Sequence, residues 1–214
     1  MDAEITRIVI QIAALVIAVS VHESAHGWVA WRCGDTTAHD LGRITLNPLK
    51  HIDPVGSVVV PGILALSGAP VFGWAKPVPV SLAHTRHPRS ANLWISAAGP
   101  ASNLLLAAAF SVLVLGMRPT ALAMHAEPGL LFEFAFFSVL INVVLAIFNL
   151  LPIPPLDGFG VLESLLPPRL AYGAYQLRKY GMILLLLLIV SGALGWLLEP
   201  PLQYVARWLL QPGH

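Results

Sequence analysis

The stretch "VSVHESAHGWVAW", Val19 to Trp31, places His22, Glu23 and His26 in an H-E-x-x-H pattern near the end of an apolar run. Positions four apart share one face of a helix. Two imidazoles there can grip one metal ion with Glu23 beside them. This is how zinc hydrolases are built: the metal polarises a carbonyl and acidifies water, and the glutamate takes and returns the proton. Chance alone would give the pattern in roughly 1% of chains of this length or fewer. Each ionisable group inside a span costs about 2.5–3.5 kcal/mol on insertion scales. Three together point to a use rather than to a polar cluster satisfying helix contacts at the interface.

Two histidines leave such a site incomplete, because catalytic zinc takes three protein ligands and keeps a position open. The third must lie at the depth of His22. "NLLPIPPLDG", Asn149 to Gly158, offers Asp157, which follows an apolar run interrupted by Pro152, Pro154 and Pro155. Whether Asp157 can reach His22 depends on how the chain crosses the membrane.

That the chain does cross one follows from composition. Of 214 residues, 57% are hydrophobic and 11% charged, against about 25% charged in a soluble chain; the mean hydropathy is +0.75. The reading is an all-α polytopic membrane protein forming a single membrane-embedded domain over 1–214, with a core at 5–166. Full spans are expected at Ile5–Trp31, Leu93–Met117, Leu130–Leu151 and Met182–Leu198, followed by an interfacial tail over 200–214 with Tyr204 and Trp208 at headgroup level. Val55–Val71 is short and broken by Pro61 and Gly62, so a re-entrant pair of half-helices is expected there. "RITL" alternates like a strand, and with its turn signals Asn47-Pro48 and Asp53-Pro54 the loop reads as a short membrane-associated β-like element. The N-terminal run reads as a retained span rather than a cleaved signal.

Charge supports four crossings over five. With a re-entrant segment, Arg32, Arg43, Lys50, Lys76, Arg86, Arg89, Arg169, Arg178 and Lys179 share one side, and Arg7, Arg118 and Arg207 fall on or near the other. The rich side is then cytoplasmic, in a multi-pass protein of the cell membrane. In this topology the first and third spans run in the same direction, so His22 and Asp157 meet on the cytoplasmic side. A fifth crossing would separate them.

"HESAH" taken with "NLLPIPPLDG" resembles the site-2 protease family of intramembrane zinc metalloproteases. "FGWAKPVPV" and "SAAGPASN" also look like segments of its compact bacterial and archaeal members, and the resemblance covers Ile5 to Leu166. It implies that His22, His26 and Asp157 hold one Zn2+ per chain, that Glu23 is the catalytic base, and that Asn103 of "GPASN" stands near the site, holding substrate or the developing oxyanion. The partner implied is a transmembrane protein substrate within the lipid bilayer. Unlike larger members, the chain has no room for a PDZ or other regulatory domain, which leaves open how substrate is selected but not the chemistry. The extended "RITLNP" or "AKPVPV" region is expected either to pair with an unwound substrate by strand addition or to seal the metal from lipid.

The rival reading is a transporter or channel using the same His, Glu and Asp cluster as a metal or proton site. It calls for repeated halves with broken helices, and no repeat is visible. The net charge of +1 without basic patches excludes a nucleic-acid partner. A lone Cys33 excludes an intrachain disulfide, a zinc ribbon and a redox pair. His51 and Asp53 read as a polar turn, His39, His84 and His87 as solvated, Trp28 and Trp31 as interface anchors, and Glu133 as reaching the headgroups. Asn142 and Asn149 face the bundle or the site, with Asn149 holding the proline-rich turn.

Overall fold

Four helical stretches have the length and composition to cross a bilayer: Glu4–Arg32, Pro88–Met117, Leu130–Asn149 and Pro168–Val190. The structure is a computed structural model and describes residues 3–67, 73–124 and 129–210. Its helices are α1 (Ala3–Arg32), α2 (Thr37–Asp40), α3 (Val60–Ser67), α4 (Pro88–Met124), α5 (Leu130–Asn149), α6 (Asp157–Leu165), α7 (Pro168–Leu177), α8 (Gly181–Val190) and α9 (Ala193–Leu210). A 3-10 turn, Arg178–Tyr180, joins α7 to α8, and a π-helical turn, Val55–Val59, leads into α3.

The bundle is built on α4, which packs along both α1 and α5 and receives α6 near its start. Small side chains line these contacts: Ala14, Ala18, Ala107, Ala135 and Ala146 are almost or wholly buried. In lipid there is no hydrophobic drive between helices, so association relies on close backbone approach at such residues. Large apolar side chains on α1 such as Ile5, Ile8, Val9 and Ile12 point outward and are exposed, the surface suited to acyl chains.

The expected β-like loop is absent: no strand occurs among the described residues. Side chains satisfy the loop backbone in place of a partner strand. The Thr45 carbonyl accepts from Ser24 Oγ (2.6 Å) and His51 Nε2 (2.8 Å), while Asn47 caps the 3-10 turn Pro48–Lys50. Residues 73–81 form no regular element and run as a single strap. The N–H groups of Trp74 and Lys76 donate to the Gly56 and His51 carbonyls, and the buried Arg43 guanidinium donates to the Lys76 and Pro77 carbonyls. The Ser81 N–H donates to Asp35 Oδ2. Pro77 and Pro79 have no N–H to offer a ladder.

The fourth span also lies earlier than expected, at Pro168–Val190 instead of Met182–Leu198. Gly192, at φ +74°, turns the chain within the leucine-rich run, a conformation that favours glycine. The residues read as an interfacial tail belong largely to α9, which contains Pro200 and Pro201 and lies against α5 and α4. Leu209 is buried there, and Ser111 Oγ donates to its carbonyl. Tyr204 and Trp208 are exposed; 211–214 lie outside the described residues. Of the expected re-entrant pair, the helical stretch from Val55 to Ser67 is described. It is about 20 Å long, short of a hydrocarbon core of about 30 Å. Positions 68–72, where the chain would return, lie outside the described residues.

Candidate metal centre

His22 and His26 lie one turn apart on α1, where their rings meet edge to face with centroids 4.6 Å apart. His22 precedes Arg32 by ten residues, about 15 Å along the helix, which sets it below the exposed Trp28 and Trp31. Asp157 comes from the other end of the sequence. After α5 ends at Asn149, the proline-rich turn brings the chain back so that α6 begins at Asp157. Close backbone contact makes this possible: a Cβ on Gly158 would lie 2.1 Å from the Leu150 carbonyl oxygen. Asn92 on α4 fastens α6, its Nδ2 donating to the Gly160 carbonyl and to Ser164 Oγ.

Three ligand atoms converge. The Nε2 atoms of His22 and His26 are 3.0 Å apart, and Asp157 Oδ2 lies 3.1 Å from the first and 3.2 Å from the second. Ligands on a tetrahedral ion at Zn–N distances of about 2.0–2.1 Å stand about 3.3 Å apart. The outer ring nitrogens fix the protons. His22 Nδ1 donates to Asn103 Oδ1 and His26 Nδ1 to the Ile95 carbonyl, both at 2.6 Å. Each Nε2 of a neutral ring therefore turns a lone pair inward, toward a buried carboxylate oxygen that lacks a hydrogen-bond partner. Three acceptors facing one another call for a cation.

Space for it comes from Gly99 on α4. A Cβ there would lie 2.3 Å from His26 Nε2 and 2.6 Å from His22 Nε2, close to metal-bond length, so glycine keeps open the volume an ion requires. His22, His26 and Asp157 are the one group of potential ligands that comes together among the described residues. The donor set fits one Zn2+ per chain with a coordination position left open.

Glu23 sits beside the cluster, and its Oε2 accepts from the Val78 N–H at 2.8 Å. Asn103 is fully buried, with Oδ1 on His22 and Nδ2 toward the Ala18 carbonyl (3.3 Å) and Asn142 Oδ1 (2.8 Å). His51 and Asp53 do not join the site: His51 is folded inward onto Thr45, and Asp53 Oδ1 accepts from the N–H groups of Val55 and Gly56. Asn149 donates to the Leu145 carbonyl within its own helix. Sequence reasoning passed over two residues that support the site. Arg43 and Asp35 anchor the strap that reaches Glu23, and a D-T-T cap pattern at Asp35 was the available signal. Asn142 carried the signal of an amide in mid-span.

A model of "Peptidase family M50" matches residues 116–189, the part that carries Asp157. The chain is 40% identical over 194 residues to "Putative zinc metalloprotease YwhC" of Bacillus subtilis, covering 90% of this chain and 85% of that one. It is 33% identical over 193 residues to "Putative zinc metalloprotease Rip2" of Mycolicibacterium smegmatis, covering 89% and 71%. No solved structure matches the chain significantly. With its ligands gathered inside a bundle of membrane-spanning length, the chain belongs to peptidase family M50, the site-2-protease-like zinc metalloproteases.

Proposed function

We propose that this intramembrane zinc metalloprotease hydrolyses peptide bonds in or near the transmembrane segments of other membrane proteins, with His22, His26 and Asp157 as the metal ligands and Glu23 as general base and acid. One observation carries the reading. Two imidazole lone pairs and a carboxylate oxygen face one point at membrane depth, and a glutamate stands beside them on the same helix. Bound there, zinc supplies Lewis-acid chemistry, polarising a carbonyl and acidifying water to a pKa near 7. Glu23 takes the proton from the attacking water and returns it to the leaving amine nitrogen. The hydrogen bond from Val78 N–H to Oε2 aims the carboxylate and leaves Oε1 for that proton. The strap at 73–81 forms a wall that couples Glu23 to the loops ahead of α4. The transporter reading of the same cluster loses its ground with membership of a peptidase family.

We place the site toward the cytoplasm. Arg32, Arg43, Lys50, Lys76, Arg86 and Arg89 lie in or beside the segments joining α1 to α4. The fourth span begins at Pro168, just after α6, with Arg169 at its start, and Arg178 farther along it pairs with Glu163 of α6 at 2.5 Å, which supports putting the start of that span on the same side as Asp157. That bias is the positive-inside pattern. The site is assembled from the first, second and third spans together with α6, so the chain works as one domain. The test is co-expression of wild type and Glu23→Gln with candidate single-span proteins, read by fragment mass. Glu23→Gln should keep zinc and stop cleavage; cleavage that survives it removes Glu23 as the base.

A further inference from the structure

A buried polar chain runs from the metal centre on α1 through α4 to α5. His22 Nδ1–H donates to Asn103 Oδ1, Asn103 Nδ2 donates to Asn142 Oδ1, and Asn142 Nδ2 donates to the Ser138 carbonyl (2.6, 2.8 and 2.8 Å). Asn103 is 0% exposed and Asn142 1%. Amides in such a place are costly unless fully bonded, and nothing in the reaction needs Asn142 to touch substrate.

What the chain controls is the direction of one proton. A side-chain amide can rotate by half a turn and exchange its acceptor for its donor. With Oδ1 toward His22, Asn103 requires the proton on Nδ1 and leaves the Nε2 lone pair free for metal. Turned round, its NH2 would face Nδ1, the proton would shift to Nε2, and the ligand would be blocked. The turned amide would also set Oδ1 against two acceptors, Asn142 Oδ1 and the Ala18 carbonyl. Asn142 is fixed in turn because its Nδ2 donates to a backbone carbonyl, which cannot rotate. The sense of the whole chain is therefore set by the carbonyls of Ser138 and Ala18. Hydrogen-bond partners of metal-binding histidines commonly fix the tautomer in this way.

We propose that Asn142 is a positioning residue of the metal centre: acting through Asn103, it holds His22 in the tautomer that binds zinc. This rests on the zinc-site reading above. Asn142→Leu removes the shorter of the two contacts that fix Asn103, leaving only the Ala18 carbonyl at 3.3 Å, and so frees Asn103 to turn. Asn142→Asp keeps an acceptor toward Asn103 whether its carboxyl is neutral or ionised. The experiment uses the purified full chain and reads zinc affinity by chelator competition, together with the histidine 15N shifts of the metal-free protein, which report the tautomer. Asn142→Leu should bind zinc roughly 10- to 100-fold more weakly and show His22 protonated at Nε2, and Asn142→Asp should restore both. A merely structural role would lower the melting temperature and leave the tautomer unchanged. If Asn142→Leu keeps His22 protonated at Nδ1, the proposal is overturned. If the wild type binds no zinc, or His22→Ala binds it as well, the zinc-site reading fails instead, and the tautomer shifts still decide the role of Asn142.

Discussion

Gly99→Ala is the most revealing single change at the metal centre. The new methyl would sit 2.3 Å from His26 Nε2, 2.5 Å from His22 Cε1 and 2.6 Å from His22 Nε2. Ordinary carbon–nitrogen contact needs about 3.4 Å, so the rings must retreat by about 1 Å. Metal sites tolerate errors of about 0.2 Å in ligand distance. Disturbing an outer partner alone costs 10- to 100-fold in affinity, and here the methyl takes the ion's own space. Zinc affinity should fall by at least about 100-fold, or about 2.7 kcal/mol. The helix should not suffer, since alanine in a helix interior is favoured over glycine by about 1 kcal/mol. Purified Gly99→Ala should therefore lose zinc in a chelator competition while its metal-free form stays folded, the gain in helix propensity offsetting part of the roughly 1–3 kcal/mol of crowding. Zinc binding at wild-type strength would refute the claim that Gly99 keeps the ion's space open.

Other consequences follow from the strap. Asp35, wholly buried in the loop after α1, accepts from the Thr37 N–H, Thr37 Oγ1 and the Ser81 N–H. Burial works against its charge, but these bonds and His84 hold its carboxyl below the usual value. Its contribution to stability is therefore fully present above about pH 4, the ordinary aspartate range, and is lost as the pH falls through the lower folded value. Asp35→Asn should cost roughly 1.5–3 kcal/mol at pH 7, and its melting temperature should converge on that of wild type in acid. Arg43→Met removes the donors that hold the Lys76 and Pro77 carbonyls, so limited proteolysis should cut within 73–81 faster than in wild type. Because Val78 aims Glu23, its turnover should drop while zinc content stays whole.

The two ends of the site differed in how readable they were. His22, Glu23 and His26 needed only helical spacing. Asp157 needed a topology as well, and it was reachable because the charge bias and the need for a third ligand required the same number of crossings. The loop misled because the alternation in "RITL" and the prolines of "KPVPV" are signs of a short or edge strand. Here the side chains of Arg43, Asp35 and Glu23 and the backbone carbonyl of His51 hold the strap at 73–81, and partners of that kind leave no alternating pattern. The fourth span was displaced because the run from Met182 to Leu198, free of charge and apolar but for Ser191, hides the turn at Gly192, while Arg178 and Lys179 disguise the helix before it. Asn142 was visible as a polar residue in a span, but only the geometry showed that it reaches His22 through Asn103.

Zinc K-edge absorption on the purified chain tests the metal centre most directly, with Asp157→Ala as the comparison. One zinc per chain is expected, with two imidazole nitrogens and a carboxylate oxygen at about 2.0–2.2 Å and a first shell that loses an oxygen ligand in Asp157→Ala. Metal-free protein, sulfur from Cys33 in the first shell, or a spectrum unchanged by Asp157→Ala would contradict it.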